Sequence, residues 1–181
     1  IYIKGNHNIE NALAAVAIAY FSGIALSVIA HTLRTFRGVA HRLEFVSEIN
    51  GVQYINDSKG TNVDSTIKAL ETYPDHIIWI AGGRNKGSSF APLIPLVKER
   101  VSSVVTLGES ASLIKEVALA AGIAEGHIYM AKDLEDVVNY CHKIAIPGDI
   151  VLLSPACASW DMFQSYEQRG DIFKNLVHTL E

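Results

Sequence analysis

From residue 43 onward, short β-like runs alternate with amphipathic helical runs, and that alternation restricts the chain to very few architectures. Leu43 to Ile49 and Val52 to Ile55 read as strands joined by Asn50-Gly51, a dipeptide that favours the type I′ hairpin turn. Beyond it the pattern predicts a helix from about Asp64 to Glu71, a strand His76 to Ala81, a helix Phe90 to Arg100 and a strand Val104 to Leu107. A helix Ser112 to Ala121, a short strand His127 to Met130, a helix Leu134 to Ala145, a strand Ile150 to Leu153 and a last helix from about Asp171 follow. Strands that alternate with helices pair in parallel through right-handed crossovers. The expected fold class is α/β: a doubly wound, mostly parallel, Rossmann-like sheet with an antiparallel edge hairpin, preceded by a short helical segment.

That helical segment covers residues 1–37, and residues 38–181 form the α/β domain, with Arg37-Gly38-Val39 as the joint. Ala12 to Ala30 carries no charge and is about as long as a bilayer span, but seven of its residues are alanine and Ser22-Gly23 interrupts it. Two short packed helices, roughly Asn11 to Phe21 and Ser27 to Arg34, are the expectation, with no membrane contact. The chain opens on Ile1 without a signal pattern and reads as part of something longer.

At 181 residues, 49% of them hydrophobic, the chain can bury one full core. Its net charge of −4 without a basic block argues against a nucleic-acid or anionic-membrane footprint. Cys141 and Cys157 have no paired or metal-ligand spacing, which suggests free thiols in a reducing compartment, and a cytoplasmic location is expected; a monomer is the separate expectation for its assembly. His31, His76, His127, His142 and His178 are scattered without metal-ligand spacing.

Ligands of doubly wound sheets sit at the carboxyl ends of the strands, and three such loops are chemically loaded. Asn56-Asp57-Ser58-Lys59-Gly60-Thr61-Asn62 follows the second strand of the hairpin, just before a helix whose amino end favours anions. The alternative is an Asx turn and cap made by Asp57, Ser58 and Thr61, with Lys59 solvated. Gly82-Gly83-Arg84-Asn85-Lys86-Gly87 matches neither a dinucleotide GxGxxG nor a phosphate loop, and its lysine could clamp a carboxylate or simply face water. Ser154 to Phe163 offers Cys157, Ser159, Trp160 and Asp161. No spacing supplies a base for Cys157, so a packed thiol is the better reading. His41 beside Arg42 could touch phosphate or serve packing. These three loops are expected to converge.

Together HNIENALAA, FRGVAHRLEFV, YINDSKGTNVDST, AGGRNKGSSF and LLSPACASWDMFQSYEQRGDIF resemble the Mur ligases, in the family's order and spacing from about residue 5 to the end. The resemblance is closest to the branch that adds D-glutamate. It implies an ATP-dependent acid-amino acid ligase of peptidoglycan synthesis, in which D-glutamate attacks an acyl phosphate formed on UDP-N-acetylmuramoyl-L-alanine. Residues 1–37 would then be the helical tail of a central ATPase domain and residues 38–181 the C-terminal amino-acid-binding domain. Matching the family's motifs, Asn8 and Asn11 would contact adenine, and Arg42, Asp57 and Lys59 the ribose and phosphates of ATP. Thr61, Lys86, Ser159 and Tyr166 would surround D-glutamate, with Trp160 at a neighbouring backbone contact.

The family's phosphate loop, carbamylated lysine and main Mg2+ ligands have no counterpart here, so no catalytic residue is assigned and the fragment alone is expected to be inactive. Asn85 stands where the family often has aspartate, and Tyr166 where phenylalanine also occurs. Other Mur-type or folylpolyglutamate-type ligases remain alternatives, although the Asp-Asn-Pro-Arg signature of the diaminopimelate-adding type is absent. A non-catalytic doubly wound binding module is the remaining one.

Overall fold

The computed structural model describes residues 2–180, and the chain divides into two compact units, Ile1–Ala40 and His41–Glu181. In the first, α1 (Asn6–Phe21) and α2 (Leu26–Thr35) pair as a helical hairpin. Helix α1 begins five residues before the predicted start, with Asn8 Nδ2 donating to the Lys4 carbonyl at 2.6 Å across its first turn. It ends at Ser22-Gly23 as expected, where the Ile24 amide donates back to the Ala19 carbonyl at 3.0 Å. Within this unit Ile18 is 70% exposed and Phe21 86% exposed. No helix among the described residues is long and apolar enough to cross a membrane.

Among the described residues the second unit is built on six strands: β1 (Glu44–Ile49), β2 (Val52–Asn56), β3 (Ile77–Gly82), β4 (Val101–Leu107), β5 (Ile128–Met130) and β6 (Ile150–Leu153). Their order is β1-β2-β6-β3-β4-β5, antiparallel only between β1 and β2. The hairpin turn has φ of 52° at Asn50 and 77° at Gly51, the positive pair a type I′ turn requires. Strand β3 is buried along its whole length, and its side chains alternate between two cores as a two-residue period demands. Ile77, Trp79 and Ala81 pack beneath α3 (Val63–Thr72), α4 (Ile94–Arg100) and α5 (Ala111–Ala120). Ile78 and Ile80 pack beneath α6 (Leu134–Ile144) and α7 (Tyr166–His178).

In the second unit three elements differ most from the sequence reading. The single helix expected over Phe90 to Arg100 is a 3₁₀ turn, Ala91–Leu93, followed by α4, because Pro92 and Pro95 can occupy only the first turn of a helix. Strand β4 begins at Val101, since α4 ends directly against it and Ser102 Oγ donates to the Ile77 carbonyl at 3.2 Å. Helix α7 begins at Tyr166, five residues early, because Ser165 caps it by accepting from the Gln168 amide at 3.3 Å. Gly170 thus lies inside the helix, where a Cβ would run into His41 Nδ1 and come within 3.0 Å of Asn56 Nδ2.

Gly82 ends β3 at φ 126°, and a Cβ there would collide with the Leu107 carbonyl of β4. Backbone cannot yield as a side-chain tip can, so Gly82→Ala is expected to cost more than about 2 kcal/mol of unfolding free energy. Urea denaturation checks this, and a loss below about 0.5 kcal/mol, the usual range of surface changes, would contradict it.

Candidate functional site

The loops after β2, β3 and β6 converge because β6 is inserted between β2 and β3. The Asp57 amide donates to the Leu153 carbonyl at 2.8 Å, and the Ala156 amide to the Gly60 carbonyl at 2.9 Å. On the other side, the Gly82 amide donates to the Pro155 carbonyl at 2.9 Å. Arg84 and Ala158 exchange both backbone hydrogen bonds, at 2.9 and 3.0 Å. The loop after β6 is therefore a central wall, joined to a loop on either side.

In the β2 loop the Asx turn and the helix cap belong to the two asparagines rather than to Asp57, Ser58 or Thr61. Asn56 Oδ1 accepts from the Ser58 amide at 3.1 Å, and Asn62 Oδ1 accepts from the Ser65 amide at 2.8 Å to cap α3. Asp57 is buried, accepting from the Leu43 amide at 3.2 Å and from Ser154 Oγ at 2.8 Å. Burial raises its pKa to about 6, against the lowering effect of these hydrogen bonds and of Arg42 and Arg169. Arg42 is exposed, and half-buried Lys59 holds Nζ 5.8 Å from the Tyr166 ring centroid.

Asp57 has a folded pKa above its unfolded one, so the native state binds its proton more tightly and its contribution to stability falls as pH rises from about 4 to 6. Asp57→Asn is therefore expected to gain on the parent, on the order of 3 kcal/mol, between pH 4 and 7. Urea denaturation across that range checks the sign, and a pH-independent difference would refute it.

In the β3 loop Asn85 organises the turn. Its Oδ1 accepts from the Gly87 amide at 3.0 Å and the Ser88 amide at 2.9 Å, while Nδ2 donates to the Ser88 carbonyl at 2.9 Å. That last bond requires a donor, which an aspartate lacks at neutral pH. Ser89 Oγ accepts from the Ala91 amide at 3.3 Å, but the 3₁₀ turn itself has Phe90 at its N-cap and no side-chain cap, so neither Ser88 nor Ser89 caps it. Lys86 is exposed, with Nζ 5.9 Å from the centroid of Trp160, itself 62% exposed. Ser159 is only 1% exposed, and its carbonyl accepts from the Met162 and Phe163 amides at 3.2 and 2.8 Å, closing the turn that carries Trp160. Cys157 is buried and burial pushes its thiol pKa up, the opposite of an activated nucleophile.

His41, at φ 63°, is buried, with Nδ1 3.1 Å from Asn56 Nδ2 and its ring edge-on to Tyr166 at 5.9 Å. This is the packing role, and it leaves Arg42 as the cation at that position. Asn8 and Asn11 lie on α1 of the other unit, Asn8 buried and Asn11 exposed.

Two contributors were missed in the sequence. Arg169 of α7 is 1% exposed; its Nε donates to Ser58 Oγ and Nη2 to the Ser58 carbonyl, both at 2.9 Å. Nη1 and Nη2 also reach the Cys157 carbonyl at 3.4 and 3.3 Å. Burial lowers its pKa to about 10, which still leaves it a cation at neutral pH. The capping pair Ser165 and Gln168 was the signal that would have put Arg169 on a helix. The other contributor is the loop between β4 and α5. Its Ser110 amide donates to the Gly83 carbonyl at 3.0 Å, and its Glu109 receives Arg84 Nη2 at 2.7 Å and Nε at 3.1 Å.

Residues 41–157 match the family described as Mur ligase, glutamate ligase domain. Among curated relatives, a UDP-N-acetylmuramoylalanine--D-glutamate ligase of Pelotomaculum thermopropionicum is 56% identical over 179 residues, covering 99% of this chain. One of the same name from Clostridioides difficile is 52% identical over 181 residues, covering 100% of this chain. The chain spans only 39% and 40% of their lengths. Among solved structures, the UDP-N-acetylmuramate-alanine ligase of Thermotoga maritima superposes with a TM-score of 0.71 at 20% identity, over 99% of this chain and 39% of that one. A folylpolyglutamate synthase of Mycobacterium tuberculosis complexed with ADP gives 0.67 at 15%, over 94% and 41%. Both structural likenesses concern the fold.

Proposed function

This chain belongs to the Mur ligase family, and from that premise we propose that it is the amino-acid-binding part of an ATP-dependent ligase that adds D-glutamate to UDP-N-acetylmuramoyl-L-alanine in peptidoglycan synthesis. The observation that carries the reading is the stitching of the loops after β2, β3 and β6, which supports one anion-binding edge bearing Thr61, Lys86, Ser159 and Tyr166. A dicarboxylate amino acid needs a cation and several donors aimed at its oxygens. Lys86 takes the side-chain carboxylate, half-buried Thr61 donates a hydroxyl hydrogen bond, Ser159 is assigned a second although it is 1% exposed here, Tyr166 walls the pocket, and Trp160 contributes through its backbone.

The catalytic contribution of these residues is positional. Holding the amine against the acyl phosphate turns an encounter into an oriented reaction, an effect that reaches about 7 kcal/mol or more in favourable systems. ATP supplies the phosphoryl group that activates the carboxylate. Exposed Arg42 and half-buried Lys59 are chemically suited to its phosphates, Asp57 orders the loop between them, and Asn8 and Asn11 are assigned to adenine. Among the described residues no cluster of His, Cys, Asp or Glu could hold a metal ion, and no residue of this chain is assigned to Mg2+.

The first unit is read as the tail of the ATPase domain. Apolar side chains such as Ile18 and Phe21 call for cover, and the relatives are long enough to provide it. The isolated chain is accordingly expected to show no ligase activity.

The test is phosphate release by the full-length enzyme with ATP and UDP-N-acetylmuramoyl-L-alanine against a panel of amino acids. D-glutamate is expected to be the substrate that sustains turnover. Preference for diaminopimelate, L-lysine or L-glutamate would overturn the specificity, and no turnover with any amino acid would favour a binding module.

A further inference from the structure

We infer that Asp161 is a positioning residue for Lys86, acting through the loop between β4 and α5. The inference rests on the reading of Lys86 as the carboxylate-binding cation. Asp161 Oδ2 accepts from the Glu109 backbone amide at 2.9 Å, bridging the loop after β6 to the loop after β4. Gly83 and Arg84, the root of the Lys86 loop, are held by both: Gly83 through the Ser110 amide, Arg84 through its paired bonds to Ala158. Asp161 closes this triangle on its third side.

Packing leaves little freedom at the junction. Gly108, at φ 77°, passes so close that a Cβ would run into the Asp161 carboxylate and come within 3.1 Å of Gly83 Cα. The other oxygen, Asp161 Oδ1, is buried and meets no hydrogen-bond partner among the described residues. A buried carboxylate oxygen left unpaired is costly, and sites that retain one commonly serve function rather than stability. Arg84 and Arg169 both interact electrostatically with Asp161, so the charge is offset without a direct contact.

Trp160, the neighbour of Asp161, is the residue over which Lys86 Nζ lies at 5.9 Å. The bridge therefore fixes the base of the lysine loop and the aromatic surface beside its tip together. Opening one side of the triangle lets the ammonium wander from the carboxylate it must meet, while the ATP-facing residues on the β2 loop keep their own anchors at Leu153, Ser154 and Arg169.

In the full-length enzyme, Asp161→Ala is expected to raise the D-glutamate KM about tenfold, with the ATP KM within about twofold of the parent. Asp161→Asn keeps an acceptor for the Glu109 amide and is expected to return the D-glutamate KM to within about threefold of the parent. Hydrogen exchange in peptides covering residues 83–89 should speed up in Asp161→Ala and not in Asp161→Asn. If the alanine variant does not accumulate, Asp161→Ser, whose hydroxyl is too short to span the gap, carries the same expectations. An unchanged D-glutamate KM, an equal rise in the ATP KM, or an asparagine variant no better than the alanine one would each overturn the inference. If Lys86→Ala itself leaves D-glutamate dependence unchanged, the reading of Lys86 fails and the inference falls with it. If Lys86→Ala raises that KM and Asp161→Ala does not, only the role of Asp161 is refuted.

Discussion

Replacing Lys86 with alanine in the full-length enzyme is expected to raise the D-glutamate KM between about 10- and 100-fold while moving the ATP KM by less than about twofold. A hydrogen bond to a charged partner contributes about 1.5–3 kcal/mol, and each 1.4 kcal/mol is a factor of ten. Lys86 is exposed and its loop is shaped by Asn85, so the fold should not notice the change. Its contact with the Trp160 ring is long and solvated, worth at most about 1 kcal/mol. Lys86→Arg keeps the charge on a larger, planar head, so partial recovery is expected. Steady-state kinetics with each substrate varied in turn separates the outcomes, and a D-glutamate KM unchanged in Lys86→Ala would remove the residue from the site.

Arg169→Ala should cost about 3–5 kcal/mol of stability, the range found when a buried charged partner is deleted. The guanidinium is enclosed and donates to Ser58 Oγ and to the carbonyls of Ser58 and Cys157, none of which can turn to water when it is gone. Each abandoned acceptor carries a desolvation penalty of about 1–3 kcal/mol. For a unit of this size a loss of 1 kcal/mol lowers the melting temperature by about 2–4 °C, so a fall on the order of 10 °C or more is expected. Arg169→Lys keeps the charge but not the fork, and should recover only part. Thermal unfolding decides the matter, and a shift of less than about 2 °C would show that the fork contributes little. Because Ser58 and Cys157 sit on two different loops of the site, the alanine variant should also weaken D-glutamate and ATP binding together. That joint loss distinguishes it from Lys86→Ala.

The two outcomes bear on different parts of what could be read in advance. Lys86 is put forward by the resemblance of its loop to the family, since the residues of the loop alone leave it either clamping a carboxylate or facing water. Arg169 has only an indirect signal, the capping pair Ser165 and Gln168, because a last helix begun at about Asp171 leaves it and Gly170 outside. The glycine is there for His41 and Asn56, which approach from residues far away in the chain. Asp57 shows the same separation. Its neighbours Ser58, Lys59 and Thr61 suggest an exposed anion site, yet Ser154 and Leu43 close over the carboxylate and burial raises its pKa. Asp161 looked like one polar residue among several until the loop after β4 came against it.

Periodicity was enough for the alternation of strands and helices, the type I′ turn at Asn50-Gly51 and the ends of β6, since these depend on residues within a few positions of one another. The loaded loops at the strand ends follow from the same local patterns. Strand order does not, and the insertion of β6 between β2 and β3 is what makes the loop from Ser154 to Phe163 the wall that both neighbouring loops are bonded to. Which polar groups became buried staples and which stayed exposed was decided by packing between distant segments. Burial depends on what covers a side chain, and no local pattern encodes that.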